Sequence, residues 1–440
     1  TVYAQQAFET LMVGLGNTPE DVVRGGWQIY TTVDLPMNDM VLEAARAQVA
    51  SLAGQNVTNA AVIVTKPGTG EILAMIGSVD YENENIDGNV NVTISPRQPG
   101  STMKPFTYSA AMELGFTPGD VIWDTPVDIA GYVPRNYDGA WHGPVRLRSA
   151  LANSYNIPAV QTLRSIGVDN LLAIMSRFGV QSLGTDASLY GLSLTLGGGE
   201  VTLLELTRAY SVFANGGVLV PTTPILCVLD GEDNIVYQYE NSCPRGNTTN
   251  QTVNDAGFGT QVLDPRVAFI ISDVLADNAA RTPAMGANSP LNTGNIASSV
   301  KTGTTNDVKD NWTVGYTRNV AVGVWVGNTR GEPMVNSSGL TGAAPIWNSV
   351  ITSIYNNQQM LDDLAVEGQL QPDRADPPQG MSLRQMCDIR NLRDPATECP
   401  SSVQEWFLDG PAGVPDGNGG LTFPQPSAAP NDQPPAAGPW

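Results

Sequence analysis

The chain has 440 residues, and its 22 basic against 43 acidic side chains give a formal net charge of −21. That length can bury at least one large core, while the charge argues against a nucleic-acid partner, because phosphate contacts need clustered Lys and Arg. The only histidine, His142, excludes histidine-rich metal sites and leaves one candidate for a Ser-His-Asp triad; it lies in the turn-like Trp141-His142-Gly143-Pro144, where a structural role is expected.

In chain order, residues 1–24 read as a short helix and linker. Alternation over 26–34 (GWQIYTTVD) predicts a strand, and helical spacing follows over 35–52. Two apolar runs within 59–80, around Lys66-Pro67-Gly68-Thr69-Gly70, predict a hairpin. Helical spacing then runs from Ser101 to Leu114, and further helices are expected over 147–166, 203–214 and 265–275. Residues 297–302 and 314–328 look like adjacent strands of a buried antiparallel sheet, and a helix over 345–355 closes the region. This order implies an α+β or mixed fold whose early and late strands share one sheet. Three units are expected: a linker or pedestal over 1–56, a main domain over 57–357, and an extension over 358–440. From about residue 410 the extension is rich in Gly, Pro and Ala, a composition expected to be largely disordered.

No run of about eighteen apolar residues suggests a membrane span, and no signal-peptide pattern opens the chain. The four cysteines, Cys227, Cys243, Cys387 and Cys399, fit no zinc spacing. Cys387 and Cys399 bracket a short loop and could pair, which would suit an oxidising compartment. Cys227 and Cys243 flank a hairpin turning at Asp230-Gly231-Glu232-Asp233, whose register sets Cys227 opposite a residue near Gln238. Their pairing therefore does not follow, and free thiols stand as an equal reading. No metal or cofactor is expected.

Lysine usage points to chemistry. There are only four lysines (Lys66, Lys104, Lys301, Lys309) against 18 arginines. Arginine supplies a fixed charge, whereas a desolvated lysine can shed its proton and act as a base. Lys104 follows Ser101 by three residues in Ser101-Thr102-Met103-Lys104, so on a helix the amine shares a face with the hydroxyl. Ser298-Ser299-Val300-Lys301 has the same letters, but on a strand those positions point to opposite faces. Pro105 opposes helical geometry at Lys104. A second element, Ser154-Tyr155-Asn156, lies between helical segments. If that loop is extended, its hydroxyl and amide point the same way, one to relay a proton and one to hold a peptide group. The third, Lys301-Thr302-Gly303-Thr304-Thr305, ends a strand, where Gly303 would let a ligand backbone approach and a cation with hydroxyls would suit a carboxylate. The elements stand 53 and 147 residues apart, and Ser-x-x-Lys, Ser-x-Asn and Lys-Thr-Gly in that order are far more specific than any one alone.

With these motifs, residues 24–34 (RGGWQIYTTVD), 97–106 (RQPGSTMKPF), 196–217 and 310–328, the chain resembles the transpeptidase domain of class A penicillin-binding proteins over about residues 20–355. The resemblance implies that fold: an antiparallel sheet flanked by helices plus an all-helical subdomain. It implies Ser101 as nucleophile, Lys104 as its base and Ser154 as the relay to a leaving D-alanine. Asn156 would hold the donor peptide, and Lys301, Thr302, Gly303 and Thr304 would bind its carboxylate end. The amides of Ser101 and Thr304 would form the oxyanion hole. The implied partners are peptidoglycan stem peptides (a D-Ala-D-Ala donor and an amine acceptor) and β-lactams, on the extracytoplasmic face of the membrane. A membrane is implied only through an anchor outside these residues, and glycan polymerisation is not expected of this chain. A β-lactamase would need a glutamate to activate water, for which no convincing candidate lies between the second and third motifs. A D,D-carboxypeptidase and a non-catalytic β-lactam sensor are the alternatives.

Overall fold

The alternating apolar runs early and late in the chain become one sheet. In the computed structural model, which describes residues 2–255, 259–366, 368–389, 399, 401–416 and 420–423, five strands pair antiparallel. They are β1 (Asn59–Thr65), β2 (Ile72–Ile76), β3 (Ser299–Thr304), β4 (Asp310–Tyr316) and β5 (Ala321–Gly327), in the spatial order β3-β4-β5-β1-β2. Early and late strands meet where β5 lies on β1, from Ala321 opposite Thr65 to Gly327 opposite Asn59. The run 314–328, expected as one strand, is the end of β4 and all of β5. A turn in which Thr317 N donates to Val320 O at 2.9 Å divides it, and the apolar pattern hides the turn because both flanking strands are fully buried.

Side chains alternate between the faces with period two. Ala61, Ile63, Trp312, Val314 and Trp325 enter one apolar cluster, whereas Ala60, Val62, Val64, Val322, Val324 and Val326 enter another. The helices that matter to the site are α1 (Leu35–Ser51), α2 (Lys104–Glu113), α3 (Leu147–Ala152), α4 (Asn156–Ile166), α5 (Leu203–Ala214), α6 (Pro265–Ala276) and α7 (Ala344–Tyr355). Helices α2 to α6 contribute to the first cluster, α1 and α7 to the second. The sheet is thus the filling between two helical layers. Because α1 gives Met37, Val41 and Ala45 to the core, the expected unit 1–56 shares its interior with the unit that follows.

Both cysteine pairs are bonded, Cys227 to Cys243 and Cys387 to Cys399. The hairpin register does set Cys227 opposite Gln238. The chain then reverses after Tyr239 through Glu240 and Asn241, both at positive φ (48° and 58°), and Ser242 Oγ donates to Leu226 O at 2.8 Å. That reversal, invisible in a hairpin count, returns Cys243 to Cys227.

The extension is also built differently from its composition. Strands Met381–Cys387 and Ser402–Leu408 pair antiparallel, and Trp406 meets Phe269 of α6 edge to face at 5.6 Å. Where disorder was expected from about residue 410, the described residues 410–416 and 420–423 are anchored. Arg266 Nη2 donates to Pro411 O at 2.9 Å, Gly413 N donates to Asp264 Oδ2 at 2.7 Å, and Ala412 is buried. Polar anchors to α6 replace the apolar bulk that the composition lacks. Residues 424–440 lie outside the described residues. Among the described residues no helix is long and apolar enough to cross a membrane.

Candidate active site

Ser101 lies in a 3₁₀ turn, Gly100–Met103, that leads directly into α2. In such a turn residues i and i+3 eclipse, so the turn aligns Ser101 with Lys104 more directly than the expected α-helical face. Pro105 falls within the first turn of α2, where its missing N–H costs no intrahelical bond; Lys104 accordingly keeps helical angles of −60° and −39°. Gly100 has φ +60°, and a Cβ there would come within 2.6 Å of Thr304 N. Only glycine lets the nucleophile turn reach β3.

Lys104 is completely buried. Its Nζ donates to the Ser154 carbonyl, to Asn156 Oδ1 at 2.7 Å and to Ser154 Oγ at 3.2 Å. Lys301, only 3% exposed, donates to the same Ser154 Oγ at 2.8 Å and to Thr302 O at 2.7 Å. One hydroxyl therefore bridges two buried amines. Burial holds Lys104 well below the usual lysine range, reinforced by the Lys301 charge and opposed by Asp124. Burial likewise lowers Lys301, to about 7. A neutral Lys104 has two N–H groups, enough for the Ser154 carbonyl and Asn156, and one lone pair free to accept a proton. That is the state a general base requires.

The Ser154 loop is not extended. Ser154 has φ +59°, a left-handed conformation costing about 1–3 kcal/mol for a residue with a Cβ, and Asn156 begins α4. Hydroxyl and amide still converge, because both reach Lys104. The surroundings impose the strain. Asn153 Nδ2 donates to Ala280 O at 2.8 Å and its Oδ1 accepts from Ala284 N at 3.0 Å. Asn136 Oδ1 accepts from Asn156 N at 2.7 Å, capping α4, and its Nδ2 donates to the fully buried Asp124 at 2.8 and 2.9 Å. Asp124 Oδ2 also lies 2.6 Å from His142 Nδ1, and the His142 ring stacks on Tyr155 at 3.8 Å. Asn156 is largely committed inside the protein, with Oδ1 on Lys104 and Nδ2 donating to Arg135 O at 2.7 Å; one N–H remains for a ligand. None of Asp124, Asn136 or Asn153 stood out in the sequence, since Asn136-Tyr137-Asp138-Gly139 has the letters of an ordinary turn.

On β3, the space a Gly303 side chain would fill is taken by Pro99 O, 2.2 Å from the Cβ position. The glycine thus admits the nucleophile turn, not a ligand backbone. Thr304 Oγ1 accepts from Gly339 N at 2.9 Å, leaving its proton to donate. Six of the eight residues singled out in the sequence (Ser101, Ser154, Asn156, Thr302, Gly303, Thr304) line one cleft. The other two, Lys104 and Lys301, meet it through Ser154.

A family model described as the penicillin binding protein transpeptidase domain matches residues 60–352. The chain belongs to that family. Penicillin-binding protein 1A of Neisseria lactamica is 36% identical over 287 residues, covering 63% of this chain and 34% of that relative. This chain therefore spans about a third of the length of such a relative. Among solved structures, penicillin-binding protein 1A from Haemophilus influenzae shares the fold with a TM-score of 0.73 at 20% identity, over 93% of this chain and 76% of that one. PonA1 from Mycobacterium tuberculosis in complex with penicillin V has a TM-score of 0.65 at 22% identity, over 79% of this chain and 91% of that one.

Proposed function

We propose that this chain is a serine D,D-transpeptidase that cross-links peptidoglycan stem peptides through an acyl-enzyme on Ser101 and that β-lactams acylate covalently. The observation that carries the reading is Ser154 Oγ held between two buried, pKa-lowered lysines, within the cleft that Ser101 lines. Neutral Lys104 takes the Ser101 proton as Oγ attacks the carbonyl before a terminal D-alanine. The Ser101 and Thr304 amides receive the oxyanion, and loss of one such donor typically costs about 10²–10³ in rate. Ser154 passes the proton to the departing amine, so the hydroxyl between the lysines is the hinge of the relay. Lys301, Thr302 and Thr304 hold the terminal carboxylate, and the last N–H of Asn156 steadies the donor peptide. An amine of a neighbouring stem peptide then attacks the ester.

Penicillin V bound to the mycobacterial neighbour supports β-lactam reactivity on this fold. Two disulfides fit an extracytoplasmic site at the cell wall. Within the chain, residues 57–357 form the catalytic unit, 1–56 its pedestal and 358–440 an extension. A stem-peptide donor offered with an amine acceptor tests the reading. Cross-linked dimer is expected; release of D-alanine with no dimer would replace it by a D,D-carboxypeptidase, and penicillin labelling without turnover by a sensor.

A further inference from the structure

The cleft is electrically lopsided. On the β3 side stand the hydroxyls of Thr302 and Thr304, with the buried Lys301 behind Ser154, suited to an anion. In the segment that also supplies Asn136 and Tyr137, Asp138 is the one carboxylate among the described residues that line the cleft. Its side chain is half exposed, yet held: Oδ1 accepts from Ala140 N at 3.0 Å, and Oδ2 lies 3.1 Å from His142 Nε2. His142 is itself fixed, by Asp124 at 2.6 Å on its other nitrogen and by the stacked Tyr155 ring. Tyr155 is the middle residue of the Ser154-Tyr155-Asn156 loop, so Asp138 is tied to the wall from which the proton relay works. Each Asp138 oxygen keeps a lone pair for a further donor. A cation entering the cleft meets this group without displacing either contact.

We propose that Asp138 is the docking carboxylate for the ammonium group of the acceptor strand, a specificity-determining residue, with His142 as its positioning residue. The proposal rests on the transpeptidase reading and names its acceptor subsite. An acceptor amine is cationic in neutral water, and a pre-oriented carboxylate concentrates it beside the acyl-enzyme. The docked ammonium gives its extra proton to solvent. The neutral amine then forms the C–N bond to the acyl carbonyl as the bond from that carbon to Ser101 Oγ breaks. The second amine proton passes through Lys104 to Oγ, restoring the free serine. A carboxylate on this side would repel the donor's terminal carboxylate, which leaves the β3 side for the donor.

The test partitions a preformed acyl-enzyme between water and two nucleophiles, glycinamide as the cationic amine and hydroxylamine, which is uncharged at neutral pH. For D138N, acylation by a fluorescent penicillin is expected at the wild-type rate, which also reports that the cleft is folded. Its KM for glycinamide is expected to rise roughly tenfold, with hydroxylamine partition unchanged and the difference shrinking at high salt. His142→Phe releases Asp138 but also takes the ring partner from buried Asp124, so it is expected to slow deacylation by both nucleophiles and, beyond that common loss, to raise the KM for glycinamide relative to that for hydroxylamine. Equal glycinamide KM values in wild type and D138N would overturn the proposal, as would parallel losses for both nucleophiles in D138N. A defect confined to acylation by a donor thioester carrying an ammonium, absent with its neutral counterpart, would assign Asp138 to the donor and overturn it too. A wild-type chain that takes no penicillin would instead remove the transpeptidase reading on which the proposal stands.

Discussion

Strand β3 and the turn before α2 hold Lys301 and Ser101 between apolar layers, whereas the facing loop holds Ser154 through a chain of polar contacts. On the first wall, Trp312, Trp325 and Phe106 are fully buried, and glycines at 100 and 303 let backbone meet backbone. On the second, His142, Asp124 and Asn136 pass hydrogen bonds from one to the next until they reach Asn156, while Asn153, tied separately to Ala280 and Ala284, pins the left-handed Ser154 that follows it. Close packing resists deformation without specifying the last half-ångström of a side chain. A satisfied polar network specifies that position but fails as a unit when one member is lost. The division suits the proposed chemistry: a nucleophile at Ser101 needs a rigid floor, and a relay hydroxyl at Ser154 needs a fixed bearing on two amines.

The largest expected effect lies where the walls meet. Lys104→Arg keeps the charge but cannot shed the proton, and penicillin acylation is expected to fall by about 10³ or more, measured as the second-order labelling rate. Near-normal acylation would remove Lys104 as base. Next, Trp325→Ala hollows the packed wall, and urea unfolding is expected to show a loss of about 3–5 kcal/mol. Asn136→Ala removes the α4 cap and a partner of buried Asp124. It is expected to cost less stability, about 2 kcal/mol, yet to slow acylation more than Trp325→Ala does at a temperature where both are folded. The reverse ranking would break the contrast between the walls.

The pH profile sharpens it further. With the proposed roles the base must be neutral, so kcat/KM is expected to rise with pH as Lys104 loses its proton. The carboxylate anchor must be charged, so kcat/KM falls again as Lys301 loses its own near pH 7 in the free enzyme. Lys301→Arg is expected to erase the alkaline limb while the acid limb stays. The smallest effect should come from the remote end of the polar wall. Arg148, at the start of α3, pairs with Glu405 of the extension at 2.6 Å but keeps Asp277 at 3.0 Å and also Asp273. Glu405→Gln keeps one hydrogen-bond acceptor for Arg148, whose charge stays paired, and is therefore expected to cost only about 1 kcal/mol although Glu405 is buried, read as a small fall in Tm.

Much of the packed wall was legible in the sequence, because continuous apolar runs and helical spacing are what a sheet buried on both faces and its covering helices leave behind. The three motifs were legible by their order and by the scarcity of lysine. The polar wall was not. Asn136 and Asp124 work through contacts 20 and 12 residues apart, and nothing in a turn-like stretch marks a carboxylate that will be buried. His142 was read as structural on local letters, and its contacts with Asp124 and Tyr155 show which structure it serves. The letters around Gly303 suggest room for a ligand backbone, but its space belongs to Pro99. Cys243 returns to Cys227 through two left-handed residues that no propensity would place there.

The central claim is that Ser101 forms a covalent acyl-enzyme. Intact-mass spectrometry after exposure to benzylpenicillin, followed by peptide mapping, tests it most directly. One added penicillin per chain is expected, located on the peptide containing Ser101 and absent from Ser101→Ala. An unmodified mass, or an adduct that survives in Ser101→Ala, would contradict it.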